Sequence, residues 1–108
     1  MSAREAMRQA VDTAFGRFGR PATYTGQAES VSAPVIVVAP RKGYDAELGA
    51  RVVVADVGMD VRATDITAPQ GGDTITTDDD GRVYRVVGAA EMDAHGLVHK
   101  LTVRETAG

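Results

Sequence analysis

Two periodicities divide the chain. Up to residue 18 the apolar positions recur at helical spacing: Ala3, Ala6, Met7, Ala10, Val11, Ala14, Phe15 and Phe18 follow the i, i+3, i+4, i+7 pattern of one face. Arg4, Glu5, Arg8, Gln9, Asp12 and Arg17 fall on the other faces. Ser2 and Glu5 have the S-x-x-E spacing of a capping box, which predicts a helix over 2–18. Gly19 followed by Arg20-Pro21 is a stop signal: glycine is expected to take the left-handed end position, and proline cannot continue the ladder. Gly16 sits inside and weakens the helix by about 1 kcal/mol. A helix of this length is marginal in isolation. Its apolar stripe must lie on the rest of the chain or on a neighbouring subunit.

Beyond Pro21 the pattern changes to strands. Residues 22–25 form a short one. Residues 31–39 form a longer one, apolar on both faces at Val35-Ile36-Val37-Val38, with Pro34 predicting an edge position or a bulge. Residues 40–50 carry glycines and mixed charges and read as a long loop. Residues 52–54 are apolar. Val57, Met59, Val61 and Ala63 then alternate with Gly58, Asp60, Arg62 and Thr64, the signature of a half-buried strand. Residues 68–73 (APQGGD) form a turn and 74–77 a short strand. Asp78-Asp79-Asp80-Gly81 is a hairpin connection, and in the strand after it Tyr84 and Val86 share a side. Residues 91–96 read as a second hairpin loop before a last strand over 97–104. The predicted fold is mainly β with one N-terminal α-helix: a small antiparallel barrel or sandwich of about six to seven strands over 22–104, in one domain spanning 1–108.

Composition supports strands over a helical bundle. Ala and Val dominate the apolar set, with 15 Val against three Leu and three Ile, and β-branched side chains fit the pleat. The chain has 108 residues, enough for one core and too few for two. It has no cysteine, which excludes disulfides, thiolate metal sites and cysteine nucleophiles. No apolar run approaches the ~18 residues of a membrane span. The start of the chain lacks the basic-then-apolar order of a secretory signal. The net charge is −3, which argues against wrapping tightly around nucleic acid.

Candidate chemistry is sparse. No phosphate-loop, nucleophile-elbow or metalloprotease motif is present. Aligning Gly81 with the glycine of a calcium-binding loop puts Thr76 and Val87 where carboxylates are required, so 78–81 reads as a charged hairpin tip. His95 and His99 are four apart, but on an extended chain that separates them by about 13 Å, too far to share one zinc. No metal, cofactor or catalytic set is expected. Arg41 and Lys42 stand beside Tyr44 in the long loop, and a basic pair next to an aromatic can bind a phosphate backbone.

The pattern as a whole is more specific than any residue. A short amphipathic helix leads through FGRPATYTG into strands. The stretch APQGGDTITTDDDGRVYRVVG and the ending DAHGLVHKLTVRE follow. This resembles the head–tail joining proteins of long-tailed phages, the lambda-type connector or stopper family, and their counterparts in gene transfer agents. The likeness covers nearly the whole chain. Its sharpest part holds Pro69, Gly72, Asp73, Ile75, Gly81, Tyr84 and Val86, which are turn and core positions.

The resemblance implies a structural virion protein and not an enzyme. It implies a ring, six- or twelve-fold, on the portal or adaptor, sealing the packaged double-stranded DNA and presenting a surface to tail proteins. It implies a place in the neck of a particle assembled in the bacterial cytoplasm. A long inter-strand loop can project into such a channel, which makes Arg41, Lys42, Gly43, Tyr44 and Asp45 the candidates for meeting DNA or a neighbouring subunit. A tail terminator or other minor neck ring protein, and a small nucleic-acid-binding barrel, are the alternatives. The barrel would need clustered aromatics, and Tyr24, Tyr44 and Tyr84 do not cluster in sequence.

Overall fold

A computed structural model describes residues 2–27, 30–40 and 56–106. Helix α1 spans Ala3–Phe18. It is followed by β1 (Arg20–Thr25), β2 (Ser30–Pro40), β3 (Asp56–Arg62), β4 (Thr74–Thr77), β5 (Val83–Val86), β6 (Glu91–Met92) and β7 (Val98–Glu105). The strands are antiparallel in the order β3-β2-β1-β4-β5-β7, and β3 also pairs with β7, which closes six strands into a barrel. The extra strand β6 lies along β7 beyond the part that β5 occupies: Glu91 faces Lys100 and Met92 faces His99, while Tyr84, Arg85 and Val86 face Glu105, Arg104 and Val103. Thus 91–92, expected in a hairpin loop, pair as strand, and the turn shrinks to the four residues before Leu97.

Alternation builds the core. Ala22, Tyr24, Val35, Met59, Val61, Ile75, Tyr84, Val86, Leu101 and Val103 point inward and are buried, with Ile66 from the β3–β4 connection among them. Met59, Val61, Ile75 and Val103 are fully excluded from solvent. Outward positions of β1, β2 and β4 carry Thr23, Thr25, Ser30, Ser32, Thr74 and Thr76, so each strand has a wet and a dry face.

Pro34 is not on an edge. It lies in β2, between β1 and β3, directly opposite Pro21. Two prolines can face each other only at a non-hydrogen-bonded pair, where neither N–H would point across. On the other side, the register of β2 with β3 starts one residue later, at Val35. The missing donor therefore falls where the ladder asks for none. The bulge lies instead between Val38 and Pro40. The loop residues 41–45 and the apolar residues 52–54 lie outside the described residues.

Ser2 caps α1, accepting from the Glu5 N–H at 3.1 Å. Met7, Val11, Ala14 and Phe15 turn towards the barrel, with only Phe15 fully buried. Arg62 of β3 holds the helix in place. Its guanidinium stacks 5.5 Å from the Phe15 ring and bonds Asp12 at 3.1 Å and Asp65 at 2.8 Å. At the other end Arg4 donates to the His95 carbonyl at 3.2 Å.

Gly19 ends the helix for a different reason from the one expected. Its φ is −74°, open to any residue. A Cβ there would lie 2.3 Å from the Phe15 carbonyl oxygen and 3.1 Å from Pro34, so close approach demands glycine. Gly19→Ala is expected to destabilise the protein by about 1–3 kcal/mol through overpacking. Chemical denaturation measures it, and unchanged stability would show that the helix end is not seated against Phe15 and Pro34.

Candidate functional site

The predicted signature residues converge on one hairpin and the loop that enters it. Gly72 takes a positive φ of 96° and donates to the Val86 carbonyl at 2.9 Å, while Val86 donates to the Asp73 carbonyl at 2.8 Å. Ile75 lies between Tyr24 and Tyr84 across the sheet. Gly81, at φ 72°, turns β4 into β5. Asp73 is the informative member. It is buried, yet its carboxylate accepts from the Tyr24 hydroxyl and from the Gln70 N–H at 3.0 Å. Burial, reinforced by the Asp73 carboxylate, raises the Tyr24 phenol above its ordinary value and keeps it protonated, hence a donor.

A second anchor crosses the barrel wall at the hairpin tip. Arg20 bonds Asp79 at 2.8 and 3.1 Å and Asp80 at 2.9 Å. Asp80 also accepts from the Thr77 hydroxyl and from the Arg82 N–H at 3.0 Å. The acidic run is thus tied into the fold by Arg20. Thr77 first, then the Arg82 N–H and Arg20, pull the Asp80 carboxyl from 3.8 down to about 2. A depressed carboxyl contributes stability that is present above its unfolded value and lost as pH falls through the folded one. The unfolding free energy should therefore drop between about pH 4 and pH 2, and Asp80→Asn should flatten that drop. An acid limb identical in the variant would mean that the tip does not stabilise the native state.

The wall opens beyond Gly71 and Gly88, where a Cβ on Gly71 would come within 3.3 Å of the Gly88 carbonyl. From there residues 68–71 form one side of a groove of about 640 Å³, and residues 88–90 with Met92 form the other. His99 lines it from β7. Its imidazole is buried, and Nε2 has no hydrogen-bond partner among the described residues. His95, by contrast, is exposed in the β6–β7 turn. Sequence reasoning passed over this groove, having set the two histidines aside as too far apart to share a zinc. Pro69 was legible as a turn residue, but its place in one groove with His99 joins residues thirty positions apart in sequence. The candidate residues Arg41, Lys42, Gly43, Tyr44 and Asp45 lie outside the described residues.

The described residues form a small closed antiparallel barrel with one flanking helix. A family model of the phage head-tail attachment protein matches residues 4–103. The chain belongs to that family, and it is therefore a phage structural protein of the head–tail junction, with head and tail components as its partners. No match was found among curated proteins. No helix among the described residues is long and apolar enough to cross a membrane.

Proposed function

We propose that this protein forms a ring at the neck of a tailed phage or gene transfer agent, seals the portal channel after DNA packaging and presents the surface to which the tail binds. The observation that carries the reading is family membership over nearly the whole chain. Two physical features support it. The net charge of −3 suits a channel through which DNA must slide without being gripped. A 108-residue subunit also gains from assembly, because anything that binds only the folded state stabilises it. The role is structural and not catalytic. Six- and twelve-fold closure are both open to a head-to-tail contact. The loop candidates Arg41, Lys42, Gly43, Tyr44 and Asp45 belong to this proposal as the segment that meets DNA or the next subunit.

Inactivating the gene should leave filled heads that lose DNA and separate tails, seen together by electron microscopy and a nuclease-protection assay. Intact tailed particles without this protein would overturn the reading. Tails that join while heads leak would move the protein's duty to sealing alone.

A further inference from the structure

Asp80-Gly81 is the chain's one Asp-Gly step, and glycine leaves the main-chain nitrogen after an aspartate open to reaction because no side chain stands in the way. That nitrogen can attack the side-chain carboxyl carbon of the aspartate. An N–C bond forms, water leaves, and the product is a five-membered succinimide. Water then opens the ring, and opening at the main-chain carbonyl leaves isoaspartate, with the backbone running through the former side chain. The reaction needs a protonated carboxyl, whose oxygen departs as water, and a Gly81 nitrogen free to lose its proton. The hairpin withholds both. The Gly81 N–H donates to the Thr77 carbonyl at 2.7 Å. The Asp80 carboxylate accepts from the Thr77 hydroxyl, from the Arg82 N–H at 3.0 Å and from Arg20 at 2.9 Å. Hydrogen bonds to the charged form oppose its protonation. Thr77, fully buried, holds both reacting groups, and its own N–H donates to the Arg82 carbonyl at 3.0 Å to close the loop.

We propose that Asp80-Gly81 is a modification site shut by the fold: it isomerises to isoaspartate when the β4–β5 hairpin opens and stays intact while the hairpin is closed. Refolding does not undo the change. Isoaspartate adds one carbon to the backbone of the loop between Thr77 and Arg82, and the length of a hairpin loop fixes the register of its strands. It also removes the carboxylate that Arg20, Thr77 and Arg82 hold. A chain that has reacted while open therefore does not close again into the native pairing of Ile75 with Tyr84. The site is independent of any ring.

The chain has no asparagine, so isoaspartate in it arises from aspartate alone and not by deamidation. The full chain is kept at neutral pH and physiological temperature, folded in buffer and unfolded in urea. Isoaspartate is then located in the tryptic peptide 63–82 by mass spectrometry with electron-transfer fragmentation. Formation at Asp80 is expected to be about tenfold slower or more in the folded chain, since each unit by which a carboxyl is depressed cuts its protonated fraction tenfold. Thr77→Val and Arg20→Gln, shown to be folded by circular dichroism, should each react several-fold faster than the parent. Should Thr77→Val fail to fold, Arg20→Gln carries the comparison. Equal rates in buffer and urea would overturn the protection. Folded variants that react no faster than the parent would overturn the part played by these bonds. Isoaspartate forming in urea at Asp78 or Asp79 in preference to Asp80 would overturn the site itself.

Discussion

Asp73→Ala is expected to cost about 2–4 kcal/mol, a large share of the stability of a domain this size. Its carboxylate is the shared acceptor for the Tyr24 hydroxyl from β1 and the Gln70 N–H from the loop before β4. Removing it strands the Tyr24 hydroxyl in the core, at about 1–3 kcal/mol, and breaks the part-buried bond from the Gln70 N–H, at about 1 kcal/mol more. The Tyr24 hydroxyl has no route to water, since the residue is 5% exposed in the core. The melting temperature should fall by roughly 10 °C or more. Tyr24→Phe should cost less, because the carboxylate keeps its Gln70 bond. The double variant separates the pair: a cost well below the sum of the two single changes is expected from direct coupling. Strict additivity would show that the two groups act independently.

The same residues show what one sequence reveals and what it hides. Alternation at Val57, Met59 and Val61 is a local signal, and β3 follows it with both Met59 and Val61 fully buried. Asp80-Gly81 is local too, and it makes the turn between β4 and β5 at a positive φ. Pro34 misleads because proline's demand concerns one hydrogen bond, and whether the ladder needs that bond depends on Pro21 and Val61 in other strands. Gly19 was legible as a helix stop but not its reason, which is the approach of Pro34 from β2. Asp73 reads as a turn residue, because its partner Tyr24 is 49 positions away. The groove is hidden for the same reason. Its sides come from two connections, and its base from β7. Nothing in the spacing of His95 and His99 indicates that only the second is buried.

Met59→Ala is the second large effect, expected at about 2–5 kcal/mol. Met59 is wholly buried, between Val37 of β2 and Leu101 of β7, where β3 joins the strands that close the barrel. Truncation leaves a cavity at the closure, and a close-packed barrel fills it only in part. Met59→Leu, nearly equal in volume, should lose less than about 1.5 kcal/mol. The deficit belongs to the free chain, so urea denaturation of the purified protein should show it in full. Once the protein is bound to head or tail components, binding to the folded state alone adds RT ln(1 + [L]/Kd) and masks part of the loss. Met59→Ala particles should then look normal when assembled at low temperature and fail when assembly is attempted warm. If Met59→Ala left the purified protein as stable as its parent, β3 would not be the strand that closes the core.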